Sequence, residues 1–246
     1  MKLQLKNLFA AFTAVTLFVL MAAAPAAAQT DDSKEPSAAD AGTNNIRAER
    51  RAFSVTITNL TRSQIFSPPA LVTHNDTIRL WEVGQPAIFQ LQRIAEEGNH
   101  GPFFSALVTP NLGRTAVNTF FDARSGISLQ PTTEQTINIT ADAAHPLLTT
   151  VWMLVRTNDG FSGVNALNLF EIARGESVTL ETASFDAGTE RNNERSGFLI
   201  DLQGTRRDPE GGVVTTPHSG IRGDRDAPSS WNFSDPVGRV TITRTR

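Results

Sequence analysis

The chain has 246 residues, with 22 basic and 25 acidic side chains that leave a formal net charge of −3 at pH 7, and it contains no cysteine. A length of this order allows one large domain or two small ones. The nearly balanced charge disfavours nucleic acid as a partner, because phosphate recognition requires a concentrated basic surface. The absence of cysteine excludes disulfides, thiolate metal sites and a cysteine nucleophile.

The N-terminal residues have the organisation of a secretory signal peptide. Lys2 and Lys6 precede an apolar run from Leu8 to Met21, and an alanine-rich stretch with a small-residue cleavage pattern ends at Ala28. Because the apolar run is short for a bilayer span, we expect residues 1–28 to be removed, leaving no transmembrane segment in the mature protein. These features predict a secreted or periplasmic protein.

Residues 29–51 are small, polar and charged, with almost no large apolar side chain. Such a segment buries too little surface to offset the entropy lost on ordering it, so we expect a disordered linker. Residues 52–246 carry one continuous pattern of short apolar runs separated by turn residues. This pattern predicts a single domain.

Strand signals dominate this domain. In the run from Ala52 to Thr61, Phe53, Val55 and Ile57 alternate with polar residues and therefore share one face. Similar runs read QTINITA, LLTTVWMLV, ESVTLETASF and GRVTITRTR, and turn residues separate them. The pattern predicts an all-β, antiparallel β-sandwich in which the terminal strand pairs with the first. The residues expected to be buried are Val55, Ile57, Val151, Met153, Val240 and Ile242.

Two short helices are predicted between the strands. Apolar residues recur at three-residue spacing between Gln85 and Glu97, and Gly98 is placed to cap the C-terminal end. We expect a helix over this range and a second, shorter one near Pro102–Leu107, covering an end or edge of the sandwich. The segment from Gly204 to Ser234 has no periodic pattern, and loops of that length are usually functional or mobile.

Motifs for common enzyme classes are absent from the sequence. There is no G-x-S-x-G elbow, P-loop or G-x-G-x-x-G motif. The four histidines, His74, His100, His145 and His218, are scattered and form no H-E-x-x-H motif or close pair, so their spacing does not predict a zinc site.

Acidic residues on two glycine-rich turns are the more distinctive feature. Asp159 follows one predicted strand and precedes Gly160, whereas Asp186 follows another and precedes Gly188, with Glu190 four residues after Asp186. Calcium requires six to eight oxygen ligands, which strand-connecting loops supply well. On spacing alone these residues fit either a calcium site or ordinary turn chemistry.

The order of several segments resembles the spondin domain of the F-spondin and mindin type. FSVTITNLT resembles its first strand, LWEVGQPAIFQLQRIAEEG its tryptophan-containing segment and helix, and PVGRVTITR its closing strand. The loops NDGFSGVNALNL and DAGTE carry the specific part of the resemblance, which covers Phe53 to Arg244. Glu190 stands where an aspartate is usual in the animal proteins, whose cysteines are also missing here.

This resemblance implies a sandwich similar to C2 domains, with a structural calcium ion (Ca²⁺) whose acidic ligands map onto Asp159, Asp186 and Glu190. It also implies a non-catalytic binding or adhesion module, and a surface protein, a glycan or a lipid headgroup would be its partner. One alternative is a metal-dependent hydrolase that uses the same loops, although no histidine lies near them in the sequence. A second alternative is a purely structural envelope protein.

Overall fold

The computed structural model describes residues 50–77, 79–107, 113–115 and 128–246, and the predicted signal peptide and most of the predicted linker lie outside these ranges. The described residues form nine strands and two α-helices. They are β1 (Arg51–Asn59), β2 (Ala70–His74), α1 (Phe89–Glu97), α2 (Gly101–Leu107), β3 (Gly113–Thr115), β4 (Glu134–Ala141), β5 (Leu147–Met153), β6 (Gly160–Asn168), β7 (Ser177–Thr182), β8 (Ser184–Asp186) and β9 (Gly238–Arg244).

The strands form two antiparallel sheets, which confirms the predicted all-β sandwich. One sheet has the order β4-β1-β9-β7, and the other has the order β3-β2-β5-β6-β8. The terminal strand β9 pairs with β1, as predicted, and this register places Val55 opposite Ile242 and Ile57 opposite Val240. A one-residue slip would turn all four side chains away from the core, so their alternation fixes the register.

The main core lies between the two sheets. Alternate residues of β1 and β9 point into it, and the four paired side chains of these strands are fully buried. Trp152 of β5 enters the same core from the opposite sheet and stacks on Phe66, with 5.2 Å between ring centroids. Each of the six residues predicted to be buried is at most 1% exposed.

A second core explains why β5 is apolar on both phases. Val151 points to the outer face of the five-stranded sheet, where it packs with Leu91 and Ile94 of α1 and Phe103 of α2. The helices therefore cover this outer face, whereas the sequence had suggested an end or an edge of the sandwich. Because both faces of β5 are covered, its side chains need no polar alternation.

Helix α1 begins at Phe89, four residues later than predicted. The backbone of Gln85 is already used elsewhere, since its N–H bonds to Glu82 and its carbonyl accepts from Val214. Gly98 ends the helix in the left-handed conformation, with φ of 62°, as its predicted capping role requires. No helix in the described ranges combines the length and apolar character needed to cross a bilayer.

The segment from 204 to 234 contains one short 3-10 turn, Ser229–Trp231, but it is packed against the domain. Ile221 and Ala227 form a third apolar cluster with Leu199. The buried carboxylate of Glu194 accepts hydrogen bonds from the backbone N–H groups of Arg222 and Gly223, each at 2.8 Å. The N–H of Asp186 also bonds to the carbonyl of Thr215 at 3.0 Å, which places the segment beside the end of β8.

Candidate metal centre

Strand pairing brings the two predicted acidic loops together. Asp159 lies directly before β6 and Asp186 ends β8, and these two strands are antiparallel neighbours in which Gly160 pairs with Asp186. The N–H of Ala187 also bonds to the carbonyl of Asp159 at 3.2 Å. Residues that are distant in sequence thus become adjacent because their strands share an edge.

The two carboxylate oxygens of Asp159 have different surroundings. Oδ2 accepts hydrogen bonds from Thr189 N at 2.7 Å, Thr189 Oγ1 at 3.1 Å and Glu190 N at 2.9 Å. Oδ1 is buried and has no hydrogen-bond partner within the described part of the chain. The residue is 0% exposed, so bulk solvent does not reach this oxygen.

Asp186 is held from two sides. Its Oδ1 accepts from Gly188 N at 2.8 Å, and its Oδ2 accepts from Asn192 Nδ2 at 2.5 Å. Gly188 has φ of +68°, and a Cβ at this position would lie 2.5 Å from the carbonyl oxygen of Val213. This loop therefore requires glycine for its backbone angle and for the close approach of the neighbouring segment.

Among the described residues, one group of carboxylates and histidines has donor atoms that all lie within 4.8 Å of one another, and it consists of Asp159, Asp186 and His218. His218 Nε2 is 3.9 Å from Asp186 Oδ2. The structure thus brings two of the three predicted residues together. Glu190 adjoins Asp159 through its backbone, but its carboxylate is not part of this group and lies 3.9 Å from Arg207 Nη1.

No histidine lies near these loops in the sequence, but His218 lies beside them in the folded chain, so the sequence-based argument was wrong. His218 belongs to the 204–234 segment, and its N–H contacts Ser184 of β8 through the side-chain oxygen at 3.1 Å and the carbonyl at 3.3 Å. Its ring packs beside Phe233. No local motif marks this histidine, because the segment that carries it lacks periodicity and returns to β8 only in the folded chain.

The charges of the site are poorly compensated. Burial, followed by the charge of Asp186, raises the pKa of Asp159 to about 7, and burial, followed by the charge of Asp159, raises the pKa of Glu190 to about 7. Burial lowers the pKa of His218, although the charges of Asp186, Asp235 and Glu194 oppose that effect. A cation beside the two aspartates would favour their ionised forms.

The available donors fit a hard, oxygen-preferring cation. The orphaned Oδ1 of Asp159 and the carboxylate of Asp186 offer oxygen ligands of the type that calcium takes. Three hydrogen bonds to Oδ2 already fix the Asp159 side chain, so Oδ1 can bind a cation without further ordering of that side chain.

Comparison with known proteins agrees with this architecture. The family model Spondin_N matches residues 50–197, which is more than half of the chain and includes Asp159, Asp186 and Glu190. His218 and β9 lie beyond the matched residues. No curated protein matches the chain. On the strength of the family match and the sandwich it accompanies, the chain belongs to the Spondin_N family.

Proposed function

We propose that this protein is an exported, non-catalytic binding module of adhesive function in which the two acidic loops hold a structural calcium ion. The observation that carries the proposal is the pair of buried Asp159 and half-buried Asp186, with one oxygen of Asp159 left without a partner in the described chain. Buried charges are normally paired or coordinate a metal, and the basic group beside this pair, His218, has a pKa lowered by burial.

The protein's own residues orient the two carboxylates. Backbone N–H groups of Thr189 and Glu190 fix Asp159, and Gly188 and Asn192 fix Asp186. The two aspartates would hold the ion directly, and Glu190 would add a third negative charge to its surroundings. The bound ion would supply the positive charge that offsets the mutual repulsion of these side chains and stiffens both loops.

Exposed apolar side chains beside these loops support a binding role. Val83 is 52% and Phe89 59% exposed, although both are large apolar residues. Residues 212–214 connect this segment to one of the acidic loops. Gly84 N donates a hydrogen bond to Val214 O, and Gly212 N donates one to Gly188 O. Ile88, adjacent to Phe89, is 43% exposed as well, and clustered exposed apolar side chains, unlike single ones, mark interaction surfaces. The partner would be a surface protein, a glycan or a lipid headgroup outside the cell.

A metal-dependent hydrolase on the same loops is the alternative. The contact between His218 and Asp186 favours it, because such a pair can act as a general base. However, the His218 side chain is 0% exposed and cannot reach a substrate in this arrangement. We therefore favour the binding module.

Elemental analysis of the native protein, with thermal unfolding in calcium and in chelator, tests the metal. A ligand present at a hundredfold excess over Kd stabilises a protein by about 2.7 kcal/mol, so millimolar calcium should raise Tm by several degrees. Asp186→Asn should remove most of this shift without lowering the Tm of the calcium-free protein. Asp76→Asn, at an exposed position, is the matched control and should retain the shift. Identical Tm values in calcium and in chelator would contradict the proposal and favour a structural envelope protein without metal.

A further inference from the structure

The cluster of two aspartates and a histidine resembles a set of three metal ligands, yet the contacts of His218 indicate a different role. Its ring is fixed on several sides. The side chain is completely buried, and a Cβ at Gly160 would lie 3.2 Å from its Cδ2, so the ring packs directly against the start of β6. Thr216 Oγ1 bonds to the Ser184 carbonyl at 2.8 Å and secures the adjoining backbone.

The proton on the ring can be located from one hydrogen bond. Nδ1 accepts the backbone N–H of Gly220 at 2.9 Å, so this nitrogen uses its lone pair and carries no proton. In a neutral imidazole one nitrogen is the acceptor and the other is the donor. The proton of His218 must therefore reside on Nε2.

The protonated nitrogen faces the candidate metal centre. Nε2 is buried, has no hydrogen-bond partner in the described ranges, and lies 3.9 Å from Asp186 Oδ2. A nitrogen that bears a proton cannot coordinate a metal, whereas its N–H can orient a carboxylate that does. Neutral histidine binds metals only through an unprotonated nitrogen.

We infer that His218 is a positioning residue: its Nε2–H group, 3.9 Å from Asp186 Oδ2, attracts the Asp186 carboxylate electrostatically, keeps it oriented toward an oxygen-coordinated cation and denies that cation a nitrogen ligand. This inference rests on the proposed metal function. It also gives the 204–234 segment a role in the site, because that segment supplies the third element around the ion although it lies outside the residues matched by the family model.

Nuclear magnetic resonance of the intact, ¹⁵N-labelled protein tests the tautomer without any substitution. We expect the His218 ring to show the Nε2–H pattern in the metal-free protein and to keep it when calcium or zinc is added. Zinc is the informative probe, since it coordinates an available imidazole nitrogen. A change to the Nδ1–H pattern on adding either cation would show that Nε2 is a ligand and would overturn the inference.

Calcium titration by calorimetry tests the consequence for binding. Loss of a group that orients a metal ligand typically lowers metal affinity by about 10–100-fold, which is the expected effect of His218→Leu. His218→Gln keeps an N–H donor of similar reach and should keep the calcium Kd within about threefold of wild type. His100→Gln is the matched control, since His100 is also a buried histidine but is not in the cluster, and it should leave the Kd unchanged.

The two measurements separate the inference from the proposed function. If calcium does not bind the wild type but the Nε2–H pattern is present, the metal proposal fails, whereas the assignment of the His218 proton to Nε2 stands. If calcium binds and the ring has the Nδ1–H pattern, or His218→Leu binds calcium as the wild type does, the role of His218 is wrong and the metal proposal stands.

Discussion

The two carboxylate oxygens of Asp159 differ in their surroundings: one is fully hydrogen-bonded, and the other is available to a cation. Oδ2 accepts three hydrogen bonds, whereas Oδ1 has no partner among the described residues. Without a cation the folded state therefore contains a desolvated acid close to a second one, and the raised pKa of Asp159 reflects that cost. This arrangement lowers the free energy of unfolding of the metal-free protein, and bound calcium would raise it again.

Asp159→Asn should stabilise the metal-free protein by about 1–2 kcal/mol, because a neutral amide removes the buried charge and its oxygen can still accept the three bonds. The same substitution should remove the response to calcium. Urea unfolding in chelator and in millimolar calcium measures both effects. Asp159→Ala is the control: it should lower the free energy of unfolding by about 1–3 kcal/mol, since the N–H groups of Thr189 and Glu190 lose their acceptor. An equal calcium response in Asp159→Asn and wild type would place the ion elsewhere.

His100 gives a pH dependence that is separate from the acidic cluster. Burial lowers its pKa from 6.5 to about 4, so between these values the unfolded chain binds the extra proton and the folded chain does not. The contribution of His100 to the free energy of unfolding should therefore be fully retained above about pH 6.5 and should fall by up to about 3 kcal/mol as the pH decreases toward 4. His74 and His218 also have lowered pKa values and contribute in the same direction.

His100→Gln tests this effect because glutamine does not titrate in that range. Urea unfolding from pH 4 to pH 7.5 should show a slope smaller by about one proton than that of the wild type. Unchanged slopes would mean that His100 is protonated in the folded protein.

At the scale of elements, β1 and β9 contribute the most regular part of the core. Ile57 and Ile242 are fully buried on the inner face of the four-stranded sheet. Truncation of either residue to alanine should destabilise the protein by about 2–5 kcal/mol, because it removes buried methyl groups and leaves a cavity. The midpoint of urea unfolding measures the cost. Asn138→Ala on the exposed face of β4 is the control and should change it by less than about 0.5 kcal/mol.

Features that depend on residues close together in the sequence were predicted correctly, whereas features that depend on distant residues were not. The alternation in β1 and β9 is local, and it predicted their burial and pairing. The start of α1 was misplaced because Gln85 bonds to Val214, which is remote in sequence. The sequence predicts that Val151 and Met153 are buried but does not explain why the residues between and beside them are apolar too, since only the packed helices reveal that both faces of this strand are covered.

The candidate site shows the same limit. Asp159 and Asp186 were identifiable because each adjoins a strand end and a glycine, and strand pairing then placed them together. His218 was missed because its position depends on hydrogen bonds to Ser184 and Gly220 within a segment that has no repeating pattern. The Glu190 carboxylate lies 3.9 Å from Arg207, a residue of the same patternless segment, and no sequence motif indicates that contact.

At the scale of the whole molecule, the N-terminal sequence predicts export. The mature chain should begin at or near Gln29, because a charged start, an apolar run and a small-residue site precede that position. N-terminal sequencing and intact mass of the protein recovered from the periplasm or the medium check this prediction. An intact Met1 in the membrane fraction would contradict cleavage.

The placement of β9 between β1 and β7 has a consequence for the order of synthesis. One of the two inner strands of the four-stranded sheet, β9, is the last of the described strands in chain order, so β1 and β7 cannot be joined until Arg244 has been made. Before then β1 has only β4 beside it, and an isolated strand pair is at best marginally stable in water. The four-stranded sheet therefore stays open until β9 has been made, which suits the predicted export of the chain before it folds.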